Sequence, residues 1–259
     1  MLQPRIIPCL LLSSGGLIKT VRFGNPKYVG DPINAVRIFN EKEADELVVL
    51  DIEATALGRE PNYKQIERLA FECRMPLCYG GGVGTLEQAK RIIGLGVEKV
   101  AMSSAAIERP ALITEIAEEV GVQSVVVVLD LIADLAGGYQ LRTHNAGRRA
   151  PISPFEFARL AQAAGAGEIV VNSIDHDGMM KGYDIELAKR MCAEVSVPVS
   201  ILGGAGSLDD VGKLIRECGI VGAAAGSLFV FKGALKAVLI NYPNRAKRES
   251  VVAAALGRV

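Results

Sequence analysis

Asp45-Glu-Leu-Val-Val-Leu-Asp-Ile52 is answered by Gly167-Glu-Ile-Val-Val-Asn-Ser-Ile174, 122 residues further along the chain. Each is a short β-branched run, apolar at successive positions, as a strand buried on both faces must be. Two further pairs keep nearly the same spacing. Gly80-Gly-Gly-Val-Gly-Thr-Leu-Glu87 resembles Gly203-Gly-Ala-Gly-Ser-Leu-Asp-Asp210 at 123 residues, and Ser103-Ser104 resembles Gly226-Ser227 at 123. The period is half the 259-residue chain, so the sequence reads as two related halves, approximately 1–122 and 123–259.

Around these anchors, strand and helix signals alternate throughout. Strands are expected at Arg5–Leu12, Glu46–Ile52, Pro76–Tyr79, Lys99–Ser103, Ser124–Asp130, Glu168–Ser173, Val199–Leu202 and Gly222–Ala225. Amphipathic stretches lie between them at Asp31–Glu43, Tyr63–Cys73, Leu86–Leu95, Ala111–Val120, Ser153–Ala164, Asp184–Val195, Ser207–Cys218 and Lys232–Ile240. Eight βα units in about 250 residues, with no linker or shift in composition, predict one α/β domain over 1–259, a (β/α)₈ TIM barrel with an internal half-barrel repeat.

Composition narrows the function. Basic and acidic side chains balance at 29 each and aromatics are few, which argues against the basic, stacking surface that nucleic acid requires. No apolar run suits a membrane span, and Met1 to Pro8 lacks signal-peptide organisation. The five cysteines are scattered through apolar segments without zinc-ligand spacing, and only His144 and His176 supply imidazoles. The expectation is a cytoplasmic protein with reduced thiols, no metal and no cofactor.

In such a barrel the active site lies at the C-terminal ends of the strands. There the Gly80–Gly82 and Gly203–Gly206 loops let backbone amides approach a ligand, and Thr85 and Ser207 are placed to cap the following helices. Ser103-Ser104 and Gly226-Ser227 add small hydroxyl residues. One glycine cluster alone is better read as a tight turn; two clusters duplicated with their serine segments predict paired anion sites and a small ligand with two phosphates. By the same repeat, Ile6–Leu11 falls on Val125–Asp130, setting Leu11 opposite Asp130. A carboxylate ending a strand inside an apolar barrel suits general acid–base work, although a loop-capping aspartate is the commoner use of that position. Lys19 is a candidate phosphate or loop anchor. Asp51 and Asp175 are as well suited to orienting loops, and His176 to the rim.

These segments resemble the HisF family, the ammonia-using cyclase subunits of imidazole glycerol phosphate synthase. The resemblance is carried by Arg5–Leu10, Gly30–Pro32, Asp45–Ile52, Gly80–Gly82, Leu112–Ala117, Gly165–Glu168, Ser173–Asp175, Asp177–Gly178, Gly182–Asp184 and Gly203–Gly206, and it runs from residue 3 to about 232. It separates this chain from the related isomerase HisA. It implies a lyase-type subunit of histidine biosynthesis that takes ammonia from a HisH-type glutaminase, through the barrel, to the bisphosphorylated substrate PRFAR, yielding imidazole glycerol phosphate and AICAR. Asp130 matches one of the family's two catalytic aspartates; the other falls on Leu11. Lys19, Gly82, Ser103, Ser104, Asn172, Asp177, Gly204, Gly226 and Ser227 match substrate- or phosphate-binding positions, with Ser103 replacing an asparagine and Asn172 a threonine. Arg5, Glu46, Lys99 and Glu168 match a ring of four charges that gates the ammonia entrance; without the resemblance they would read equally as a structural plug.

The Cys9–Leu12 opening, Lys27–Pro32 and Cys78–Gly82 are similar to a HisF-like branch, WbuZ. That resemblance implies ammonia supply for sugar amidation in surface-polysaccharide biosynthesis, beside a glutaminase and an N-acetyl sugar amidotransferase. An authentic cyclase working with Asp130 alone, and a non-catalytic scaffold that activates the glutaminase, are the alternatives.

Overall fold

The computed structural model describes residues 3–233 and 235–257. Its frame is eight strands: β1 (Arg5–Ser13), β2 (Leu47–Asp51), β3 (Leu77–Gly80), β4 (Lys99–Met102), β5 (Val125–Ala133), β6 (Glu168–Ser173), β7 (Val199–Leu202) and β8 (Gly222–Ala225). Each pairs in parallel with the next, and β8 returns to β1 from Arg5↔Gly222 to Pro8↔Ala225. The sheet is thus a closed eight-stranded barrel without a free edge. Alternate strand residues divide its two faces. Ile6, Val49, Leu77 and Ile169 point outward into the layer beneath the helices, whereas Ile7, Cys9, Val48, Val126, Val170 and Ala224 fill the lumen.

The outer layer comprises α1 (Pro32–Glu41), α2 (Tyr63–Glu72), α3 (Leu86–Gly94), α4 (Ala111–Val120), α5 (Pro154–Ala163), α6 (Ile185–Glu194), α7 (Leu208–Cys218) and α8 (Arg245–Ala255). Local sequence sets their starts. Asp31 caps α1 ahead of Pro32, and Asp184 caps α6. Thr85 with Gln88, and Ser207 with Asp210, form complete capping boxes at α3 and α7. The two boxes stand at corresponding places in the two halves, so the repeat extends to how each helix begins.

Strand register fixes the repeat residue by residue. Leu11 of β1 lies beside Leu50 of β2, and Asp130 of β5 beside Asn172 of β6. Leu50 is the counterpart of Asn172, so Leu11 and Asp130 occupy equivalent positions. The glycine loops need a correction. Leu50 pairs with Gly80 and Asn172 with Leu202, which sets Gly81, rather than Gly80, on Gly203. Gly81 (φ 118°) passes so close to β2 that a Cβ there would stand 2.3 Å from the Asp51 carbonyl oxygen; on Gly203 (φ 98°) it would stand 2.6 Å from that of Ser173.

The helix expected at Lys232–Ile240 is not formed. Phe231–Lys232 instead pairs antiparallel with Ala237–Val238. Gly233 (φ 74°) and Lys236 (φ 49°) turn the chain back there, conformations that a helix cannot hold. The last helix is α8, capped by Asn244 and packed on α7. Two hairpins rise above the C-terminal rim: Gly16–Val21 with Gly24–Gly30 after β1, and Tyr139–Thr143 with Arg148–Arg149 after β5.

Candidate functional site

A cavity of about 1050 Å³, measured up to its open mouth, lies at the C-terminal ends of the strands. Of the expected site residues, Lys19, Gly82, Ser103, Ser104, Asp130, Asn172, Asp177 and Gly226 line it. Gly204 and Ser227 stand outside its wall. The loop after β6 covers Gly204, where Gly182 donates its amide to the Gly204 carbonyl at 2.9 Å. Of the two equivalent glycine loops, the first therefore opens to the cavity.

Asp130 is half-buried and accepts a hydrogen bond from Asn172 Nδ2 at 3.0 Å. Burial pushes its carboxyl up to about 6; the Asn172 hydrogen bond works against this and the charge of Asp177 adds to it. A carboxyl balanced there can both hold and release a proton near neutrality. Leu11, at the equivalent position of the first half, faces the same cavity and offers no proton-transfer group.

Lys19 and Asp177 form an ion pair at 2.6 Å, with both side chains less than a tenth exposed. Thr20 Oγ1 donates to the second Asp177 oxygen at 2.7 Å, and the Phe23 amide donates to the same oxygen at 3.3 Å. One carboxylate thus fastens the β1 hairpin to the loop after β6, and the Lys19 stem runs beside Gly226. Asp51 turns its own loop, accepting from the amides of Glu53 and Ala54, whereas Asp175 ties the loop after β6 to the end of β5, accepting from the Ala133 amide. His176 contacts Ser173 Oγ at 2.9 Å and does not line the cavity.

Among the described residues, Ser103 Oγ, Ser227 Oγ and Asn172 Oδ1 are buried without a hydrogen-bond partner. An unpaired buried polar atom costs about 1–3 kcal/mol. Ser103 and Asn172 carry that cost at the cavity wall, where a polar ligand would remove it. Thr55, His144 and Asn145 also line the cavity and escaped the sequence reading. The last two sit at the tip of the β5 hairpin, a turn hidden in what reads as ordinary loop. Arg148 and Arg149 lie on its exposed outer arm.

At the opposite end of the barrel Arg5, Glu46, Lys99 and Glu168 come together as one ring. Arg5 pairs with Glu46 and, at 2.7 Å, with Glu168; Lys99 pairs with Glu46 at 2.7 Å and with Glu168 at 2.8 Å. Ser200 Oγ also donates to Glu168 at 2.6 Å. Burial pushes Glu168 toward the neutral acid, yet Arg5 and Lys99 outweigh it and hold the carboxyl below its ordinary range. Between ring and cavity lies a small apolar chamber lined by both ring glutamates, by Cys78 and Val126, and by Cys9 and Leu202, which also line the cavity above.

Among the described residues no group of three or more His, Cys, Asp or Glu side chains is placed to hold a metal ion. Likewise, none of their helices is long and apolar enough to cross a membrane.

The profile of a family described as "Histidine biosynthesis protein" matches residues 5–236. A Vibrio vulnificus protein, provisionally named imidazole glycerol phosphate synthase subunit hisF3, is 55% identical over 253 residues, 97% of either chain. A Pseudomonas aeruginosa protein, provisionally named subunit hisF2, is 52% identical over 94% of this chain and 97% of its own. The imidazole glycerol phosphate synthase subunit HisF of Hyphomonas neptunium is 41% identical over 89% of this chain and 91% of its own. With a closed barrel, the family profile and identity across nearly the full length in agreement, the chain belongs to the HisF family of histidine biosynthesis proteins.

Proposed function

We propose that this chain is a HisF-type subunit of imidazole glycerol phosphate synthase that admits ammonia at the Arg5–Glu46–Lys99–Glu168 ring and delivers it through the barrel to the cavity holding Asp130. The observation that carries this reading is the stacking of ring, chamber and cavity along the barrel, with Cys9 and Leu202 forming the wall that chamber and cavity share. The ring is electrically balanced, two cations against two carboxylates, so a HisH-type glutaminase docked on that face could open it by displacing one cation. The chamber walls carry no charge above the ring. Burial pushes the Cys9 thiol up to about 12 and Cys78 well above its usual value, so both stay neutral. Such a passage suits neutral ammonia and penalises ammonium.

Leu11 bears on which of two destinations that ammonia has. Having one proton-transfer carboxylate where the barrel has two equivalent positions supports delivery to another acceptor: sugar amidation in surface-polysaccharide biosynthesis, beside an N-acetyl sugar amidotransferase. The second reading, an authentic cyclase converting PRFAR to imidazole glycerol phosphate and AICAR, is favoured by the near-neutral Asp130 and the unpaired Ser103 at the cavity wall. Incubating the purified protein with PRFAR and ammonium separates them. Delivery to another acceptor predicts negligible cyclisation while a HisH-type glutaminase is still bound and activated. Turnover comparable to that of two-aspartate HisF proteins would refute it and establish the cyclase.

A further inference from the structure

We propose that His144 is a further ligand of a phosphomonoester held in the first-half cavity, delivered there by the hairpin that follows β5. The proposal rests on the anion-site reading of Gly82, Ser103 and Ser104, and adds a side chain from the other half of the barrel. Several observations converge on it. His144 and Asn145 line the cavity together with Gly81, Gly82, Ser103 and Ser104. The hairpin tip holds three consecutive non-glycine residues in left-handed conformation, His144 (φ 52°), Asn145 (φ 53°) and Ala146 (φ 65°). Such a run is costly and persists only where neighbouring structure enforces it.

That enforcement comes from the first half. The His144 amide donates to Ser104 Oγ at 3.1 Å, and Asn145 Nδ2 donates across the mouth to the Ile52 carbonyl at 2.5 Å. The tip is therefore fastened to the ends of β4 and β2, although it grows from β5. Ser104 Oγ spends its acceptor on the hairpin and keeps its proton to donate. Next to it, Ser103 Oγ is buried without a partner.

The imidazole is held on one side and open on the other. Nδ1 meets Thr143 Oγ1 at 3.2 Å, while among the described residues Nε2 has only Glu108 Oε1, at 3.8 Å, too far for a hydrogen bond. Glu108 is more than half exposed and is shared with Arg148 at 4.0 Å. The local inventory is thus one imidazole N–H, two serine hydroxyls and one solvated carboxylate, with an arginine behind it. It offers donors for a phosphate's oxygens, and a phosphoryl group could take Nε2 from Glu108.

The chain's two histidines make the test direct. Inorganic phosphate is titrated into the intact protein while the imidazole resonances of His144 and His176 are followed by NMR, assigned with the His144→Asn variant. We expect the His144 signals to shift with saturation and the variant to bind phosphate about tenfold more weakly, the usual size of one charge-assisted hydrogen bond, with unchanged melting temperature. A Ser103→Ala variant should also weaken binding while leaving the hairpin in place. If phosphate binds in a Ser103-dependent manner but the His144 signals stay still and His144→Asn binds like the parent, the proposal is overturned and the anion site stands. If phosphate does not bind at all, the anion-site reading falls and this proposal with it.

Discussion

Replacing Lys99 with methionine tests whether the ring at the barrel floor is a satisfied ionic unit. Lys99 bridges Glu46 and Glu168 at 2.7 and 2.8 Å, and both glutamates are 4% exposed. Methionine keeps the apolar stem and removes the charge, leaving Arg5 as the ring's one cation facing two buried carboxylates. Breaking a buried pair in this way costs about 3–5 kcal/mol. The lower end applies because Arg5 still reaches both acids. For a domain of this size about 3 kcal/mol corresponds to a fall in melting temperature of roughly 6–12 °C. The effect has a definite pH sign. Glu168 is held below its ordinary 4.5, so the stability it gains from the cations is present above that value and is lost as pH falls through the lowered one. The gap between parent and variant should therefore be wide at neutral pH and close progressively as pH falls below 4.5, read by thermal melts followed by circular dichroism. Lys99→Met with Glu168→Gln should recover part of the loss at neutral pH. A variant that melts with the parent at pH 7, or a gap unchanged in acid, would refute the reasoning.

Three further perturbations address the cavity. Leu11→Asp restores a carboxylate at the position equivalent to Asp130, and ammonium-dependent conversion of PRFAR should rise at least about tenfold, within the usual worth of one positioned acid or base; no gain would mean that Leu11 is not what limits cyclisation. Asp130 ionises less readily folded than unfolded, so its charge destabilises the fold by about 2–3 kcal/mol above pH 6, an effect absent below its unfolded value of 3.8. Asp130→Asn should accordingly raise the melting temperature at pH 7.5 and leave it unchanged near pH 3.5, while removing any activity that depends on this carboxyl. Gly81→Ala places a Cβ 2.3 Å from the Asp51 carbonyl oxygen at φ 118°, and chemical denaturation should show a loss of at least about 2 kcal/mol.

How much of this was legible in the sequence follows from how each feature is encoded. The barrel strands are local apolar runs, and the repeat supplied a second copy of each, so all eight could be read. The four ring charges lie at or just before strand starts, where alternation alone turns them into the lumen. Helix α8 opens Arg-Ala-Lys-Arg-Glu-Ser, too polar to advertise an apolar face, and was missed in favour of Lys232–Ile240, which has the periodicity of a helix and a glycine that breaks it. The β5 hairpin could not be read either, because what holds its tip is the Ser104 hydroxyl and the Ile52 carbonyl, tens of residues away.

The same distinction bears on the asymmetry of the two halves. Sequence makes the glycine loops equivalent, and their backbones agree: Gly81 (φ 118°) and Gly203 (φ 98°) both take positive φ against equivalent carbonyls, those of Asp51 and Ser173. They differ in what lies over them, since Gly182 closes on Gly204, whereas Gly82 donates to Thr55 Oγ1 and faces the cavity. Duplication copies strand ends, and the loops laid across them decide which copy opens to the cavity. The loss at Leu11 falls in the half whose glycine loop stays open, under a hairpin borrowed from the half that keeps Asp130. On the proposed reading, the remaining proton-transfer carboxylate and the open anion cradle would lie in different halves of one barrel, Asp130 on β5 and Ser103 after β4, both lining the same cavity.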